Sequence, residues 1–147
     1  MWAAPEVTQF TIGRPATPEE SWVRLLRHAG MWSLMGFGYW IAETRAGAFV
    51  GEVGLAAFRR PLEPAQGDAP EAGWVLAPAH HGQGLATEAM QAVLGWADAA
   101  LQEPHSFCVI DPDNAASVGV ARKLGYLDAT PGHSGGARVL ILRRWRP

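Results

Sequence analysis

The run Gly73-Trp74-Val75-Leu76-Ala77, followed by His81-Gly82-Gln83-Gly84-Leu85-Ala86-Thr87, constrains this chain more than any other stretch. A short apolar, strand-like segment passes through a glycine-rich turn directly into a helical pattern, so a helix N-terminus is presented at a strand end. Glycines at 82 and 84 let the backbone approach a ligand closely. The free N–H groups of a first helical turn, at the positive end of the helix dipole, then point at it. The feature fits an α/β domain that takes a phosphate-bearing ligand. With 147 residues, 48% of them hydrophobic, residues 1–147 are expected to form one domain whose core needs no disulfide.

Thr17-Pro18-Glu19-Glu20 reads as a helix start, with Thr17 as cap, Pro18 at the first helical position and Glu20 completing a capping box. Trp22, Leu25, Leu26 and Ala29 then share a face, and Gly30 is expected to stop the helix. Tyr39 to Thr44 and Phe49 to Phe58 suggest an antiparallel hairpin, and Arg59 to Pro70 a surface loop broken by prolines and Gly67. Glu71 to Ala77 is the third strand. From Leu85 to Leu101 apolar residues recur at three- and four-residue intervals, so a helix packs on the sheet. Phe107 to Ile110 follows as a buried strand, and strand–helix–strand permits parallel pairing. Asp111-Pro112-Asp113-Asn114 caps a second helix, Ala115 to Leu124, which ends at Gly125. After a loop from Thr130 to Gly136, Arg138 to Trp145 is the last strand.

Net charge is −2 and no dense Lys/Arg run occurs, so the footprint of a non-specific nucleic-acid binder is missing. There is no charged-then-apolar leader and no apolar run long enough to span a membrane, so a cytoplasmic address is expected. The single cysteine, Cys108, lies in an apolar strand and reads as a buried thiol rather than a nucleophile. His80 and His81 lack a third ligand at sensible spacing, so no metal site is expected.

Two phosphate ligands fit poorly. A nucleoside triphosphate loop needs Gly-Lys-Ser/Thr, whereas Gly84 is followed by Leu85-Ala86. A dinucleotide fold needs a third glycine where Thr87 stands, and a parallel sheet upstream where a hairpin is expected. Instead, His81-Gly82-Gln83-Gly84-Leu85-Ala86 resembles the Q/R-x-x-G-x-G/A loop of the GNAT acetyltransferase superfamily, with His81 in place of the usual Gln or Arg. Gly73-Trp74-Val75-Leu76-Ala77-Pro78 before that loop, and Asp113-Asn114-Ala115-Ala116-Ser117 before Arg122-Lys123-Leu124-Gly125-Tyr126, are similar to the RimJ/RimL-like branch. The resemblance runs from about Trp22 to Tyr126.

It implies an α/β (α+β) fold with a mixed, mostly antiparallel sheet, helices on both faces, and N-acetyl transfer from acetyl-CoA to a primary amine. By resemblance, Leu76, His81, Gly82, Gln83, Gly84, Leu85, Ala86, Thr87, Asn114 and Ser117 hold the coenzyme. Acetyl transfer needs a neutral amine, so a carboxylate beside the acceptor serves as base. Glu71 is the first candidate and Glu52 the second; Glu88 is assigned a structural or capping role. Many GNAT enzymes protonate the departing thiolate with a tyrosine, but alignment on Leu124-Gly125-Tyr126 puts Ala121 there. The branch resemblance offers Ser117 instead. Trp32, Phe37, Tyr39 and Trp40 are expected mostly in the core, and Arg59 and Arg60 are candidates for attracting an acidic acceptor.

Only 38 residues precede Tyr39, so the usual first strand is expected to be missing, with Val7 to Ile12 as its remnant or a short replacement strand. A bare hairpin edge then calls for cover by that segment or by a second chain, as in a homodimer. The rival expectations are a catalytically inactive acyl-CoA-binding or oligomerisation module and, further off, a dinucleotide-binding protein.

Overall fold

The computed structural model describes residues 1–147. Seven strands form one sheet: β1 (Tyr39–Glu43), β2 (Phe49–Ala56), β3 (Leu62–Glu63), β4 (Glu71–Leu76), β5 (His105–Ile110), β6 (Asp128–Ser134) and β7 (Ala137–Trp145). Their order is β1-β2-β4-β5-β7-β6-β3. Only β4 and β5 run parallel; the other neighbours are antiparallel. The four helices are α1 (Pro5–Thr8), α2 (Pro18–Met35), α3 (Leu85–Ala100) and α4 (Ala115–Lys123).

Strand alternation divides the sheet into two faces. Val53, Leu55, Ala72, Leu76, Cys108 and Ile110 pack against Met90, Val93 and Leu94 of α3 and Ala121 of α4, forming the main core. The opposite face carries Glu52, Glu71 and Val75 and is covered by the N-terminal segment and α2. Trp2, Val7 and Ala16 form a small cluster against Val75, and His28 of α2 stacks on Tyr39 at 4.7 Å. The expected mixed sheet with helices on both faces is the observed fold.

Four local expectations are corrected. Gly30 does not stop α2: a glycine costs only about 1 kcal/mol within a helix, and the chain continues helically to Met35 before Gly36 adopts φ 72°. Val7 to Ile12 forms no strand; Pro5 starts the short α1 and turns follow, so no strand pairs with the free side of β1, where Trp32 Nε1 donates to Tyr39 O at 2.9 Å. Leu62–Glu63, inside the expected loop, adds a two-residue strand to β6. The largest miss is β6 itself, whose Pro131 and Gly132 fall where a loop was expected. Proline is tolerated there because β6 has β7 as its partner, while β3 reaches only His133 and Ser134 on the other side.

A further difference concerns α2. Its apolar face was expected to pack, yet Trp22, Leu25 and Leu26 are exposed, and only His28 and Met31 are buried.

Candidate active site

Strands β4 and β5 register at a single pair, Glu71 with Phe107, and part from there towards Leu76 and Ile110. Both flanking pairings stay continuous, β2 with β4 and β5 with β7, so the sheet opens at one seam only. The widening gap exposes backbone polar groups of β4 that a ligand in extended conformation can pair with.

The glycine turn lies at the mouth of this gap. After Leu76 come the 3-10 turn Pro78–His80 and then α3, whose N-cap is Gly84 at φ 79°; Gly82 has φ 73°. Gly84 offers no side chain to cap the helix, so the first-turn N–H groups of Leu85, Ala86 and Thr87 are left for an outside acceptor. Glu88 N already donates to Gly84 O. His81 Nε2 lies 2.8 Å from Leu76 O, tying the turn to the strand end, and Gln83 Nε2 donates to Ala79 O at 2.7 Å. His81 thus fixes the loop through its ring, although it stands where the family pattern has Gln or Arg. An exposed turn with free N–H groups at a helix dipole suits a pyrophosphate.

Across the gap, Asn114 Oδ1 accepts from Ser117 N at 3.1 Å and caps α4. Ser117 is half-buried on the first turn of α4. Ala121, one turn on, is wholly buried in the main core and has no hydroxyl to offer. Nor is Tyr126 free: its hydroxyl is 2.8 Å from Ser106 Oγ inside the core, where burial pushes the phenol up. The Cys108 thiol is likewise pushed up by burial, so it is no nucleophile at neutral pH.

Glu71 sits at the apex of the gap and is 7% exposed. Arg60 grips it with two guanidinium hydrogen bonds, Nε to Oε2 at 3.2 Å and Nη2 to Oε1. Burial raises the Glu71 carboxyl above its ordinary value despite the opposing pull of Arg60 and Arg27. A carboxyl buried at the seam is a candidate to take a proton from an acceptor. Glu52 is on the same face but elsewhere. Glu71 registers with Ala56, so Glu52 is four residues further along β2, about 13 Å away at strand rise. It accepts from Trp2 Nε1 at 3.1 Å. The two carboxylates therefore do not share one reaction centre.

Between them lies Tyr39. Its ring is partly exposed, but its hydroxyl is deeply buried over Gly73, where a Cβ would overlap it. Burial and then the Glu71 charge push this phenol up. Arg59 forms an exposed ion pair with Asp68 at 3.2 Å and Arg60 is engaged by Glu71, so neither arginine is free for an acceptor. Sequence reading missed the α2 residues Arg24, Arg27 and His28 above this face. Their spacing, three and four residues apart, was a usable signal. An apolar groove of about 650 Å³ lies on the other face, along β1 and α3, between Trp40, Ile41, Val53, Ala89 and Trp96.

A mixed sheet that parts beside a glycine-capped helix is the architecture of an α/β acetyltransferase. Residues 1–127 match the family model described as an acetyltransferase (GNAT) domain, and the chain belongs to that family. A Bordetella pertussis structure assigned to the GnaT acetyltransferase family is 34% identical, with TM-score 0.79 over 88% of this chain and 78% of that one. The phosphinothricin acetyltransferase of Sinorhizobium meliloti, solved in complex with acetyl-CoA, is 21% identical. It superimposes with TM-score 0.67 over 91% of this chain and 72% of its own, a likeness of fold. The uncharacterized protein YkkB of Bacillus subtilis is 36% identical over 91 residues, 61% of this chain. The match spans about half of that relative, 51% of its length.

Proposed function

We propose that this protein is an N-acetyltransferase that moves the acetyl group of acetyl-CoA directly to a primary amine, on a peptide N-terminus or a small molecule, as in the RimJ/RimL-like branch. The observation that carries the reading is the single seam between β4 and β5, with the glycine turn at its mouth and Glu71 at its apex. The coenzyme lies along the seam: pyrophosphate on the N–H groups of Gly82 to Thr87, pantetheine between Leu76 and Asn114. The amine approaches from the face that carries Glu71.

The chemistry balances without a cofactor-derived intermediate on the protein. Glu71 takes the proton of the ammonium, directly or through water, and the amine lone pair attacks the acetyl carbonyl carbon. Backbone N–H groups of β4 hold the oxyanion. As the tetrahedral adduct collapses, its nitrogen gives up its second proton to solvent and the C–S bond breaks; the thiolate, steadied by the Ser117 hydroxyl, takes a proton from solvent, and Glu71 releases its own to solvent. The products are the acetamide and free coenzyme A. The Arg60 contact must loosen or turn for Glu71 to act as base, which a bound ammonium competing for the carboxylate supplies.

A second reading, a coenzyme-binding module without turnover, is favoured by two observations: Glu71 is engaged by Arg60, and Ala121 offers no proton. Acetyl-CoA titration by calorimetry, with thiol release measured over an amine panel, separates the two. Binding with release supports the enzyme; binding without release for any amine supports the module. Gly84→Glu is expected to lower acetyl-CoA affinity at least tenfold, because a carboxylate would stand at the phosphate position; unchanged affinity overturns both readings. We also propose a cytoplasmic address and a homodimer whose second copy covers the exposed α2 face and the β1 edge that no strand pairs with.

A further inference from the structure

Two guanidinium groups above the Glu71 face have no anionic partner. Arg24 and Arg27 lie one turn apart in the middle of α2, and neither makes an ion pair. Arg24 is clamped flat, its guanidinium carbon 3.5 Å from the centroid of Trp2, and its Nε is buried without a hydrogen-bond partner. Arg27 stands 4.9 Å over the ring of Phe58. Cation–π contact of this kind restrains a guanidinium while leaving N–H donors that suit a carboxylate.

Every carboxylate in the vicinity is committed elsewhere. Glu20 is held by Arg14 and by the cap of α2, Glu52 by the Trp2 indole, and Glu71 by Arg60. Like charges one turn apart repel, and burial, then Arg27, disfavours the charge on Arg24 against a weaker opposing pull from Glu52, Tyr39 and Glu20. A buried donor left unmatched beside a second cation is costly to fold, and an arriving anion would relieve both penalties. Arg27 also acts on Glu71, so the two arginines and the seam apex share one face.

We propose that Arg24 and Arg27 form a carboxylate-binding site for the acceptor, so that the amine acetylated at Glu71 belongs to an amino acid rather than to a simple alkylamine. The inference rests on the acetyl-transfer reading for the place of the amine, but the anion site itself is a property of α2 and its aromatic neighbours. Arg24 and Arg27 are positioning residues for the acceptor; neither touches the acetyl group.

The test uses the intact protein saturated with coenzyme A, titrated by calorimetry with matched probes: α-amino acids against their amides, and ω-amino acids against alkylamines of equal length. At least one acid is expected to bind ten or more times tighter than its neutral partner. Arg24→Gln and Arg27→Gln should each erase most of that ratio, with part retained in Arg27→Lys. Because Arg24→Gln also removes the stack on Trp2, the exposed Arg27 variant, with circular dichroism matching wild type, is the deciding one. No discrimination, no binding by any acid, or a ratio that survives in both Gln variants overturns the site. Thiol release is measured in parallel with acetyl-CoA. Discrimination without release would refute acetyl transfer and leave the anion site standing, whereas release from neutral amines that neither variant changes would do the reverse.

Discussion

Tyr39 lies across the strand face because Gly73 has no side chain, and its hydroxyl occupies the volume a Cβ would need. Gly73→Ala must therefore push the ring outward against His28, which stacks on it at an interplanar angle of 4°. Overpacking of this kind costs about 1–3 kcal/mol, read as a lower urea midpoint. Acetyl-CoA affinity should be preserved, since Ala72, Trp74 and Leu76 on the other face are untouched. Glu71 and Ser117 answer to different assays. Glu71→Gln is expected to depress turnover most at low pH, where an unassisted amine is protonated, with acetyl-CoA affinity near wild type; a pH–rate profile unchanged in height and shape would make Glu71 a structural partner of Arg60. Ser117→Ala should lower turnover by roughly a hundredfold if its hydroxyl acts only in the transition state, with melting temperature unchanged. Wild-type turnover in that variant would leave the thiolate to solvent alone.

At the level of elements, α2 depends on its cap to an unusual degree, because so little of it is buried. Thr17 Oγ1 accepts from Glu20 N, Glu20 accepts from Thr17 N, and Arg14 holds Glu20 at 2.6 Å. Arg14, then the Thr17 backbone N–H, lower the Glu20 carboxyl to about 2. A carboxyl depressed on folding stabilises above its unfolded value, about 4.3, and loses that stabilisation as pH falls through the folded one. Wild type and Glu20→Gln should therefore differ in melting temperature at pH 6, converge below pH 4, and coincide only below pH 2; a constant difference would assign the effect to packing. The same cap shows what a sequence can carry. Thr17 to Glu20, the Gly82–Gly84 turn and the Asn114 cap are local devices, written within four residues, and all three stand where their spacing put them. What escaped is non-local. The identity of β6 lies in its pairing with β7, not in Pro131 and Gly132, and the Arg60 grip on Glu71 spans eleven residues and a loop. Arg24 and Arg27 were legible as helix surface, but their emptiness only shows once every neighbouring carboxylate has been traced to a partner.

For the whole molecule, the exposed face of α2 is where the proposed homodimer is tested. Leu34 is 84% and Trp22 58% exposed, and burying side chains of this kind is worth about 2 kcal/mol each. Sedimentation velocity is expected to show a concentration-dependent dimer, and Trp22→Glu with Leu26→Glu a monomer; a wild type that stays monomeric at high concentration overturns the homodimer. The division of β4 into two faces has a consequence of another kind. Glu71, Gly73 and Val75 look one way while Ala72 and Leu76 look into the core, so under the proposed reaction the coenzyme enters along the seam at the edge of this two-sided strand and the amine from the Glu71 face. Neither lies in the other's path, and no buried group such as Cys108 stores the acyl group between them. Order of arrival should then be immaterial: double-reciprocal rate plots are expected to intersect, and product inhibition by coenzyme A to be competitive with acetyl-CoA alone. Parallel lines would mean that the enzyme carries the acetyl group itself, as a shuttle with a memory, which a two-sided strand has no place to keep.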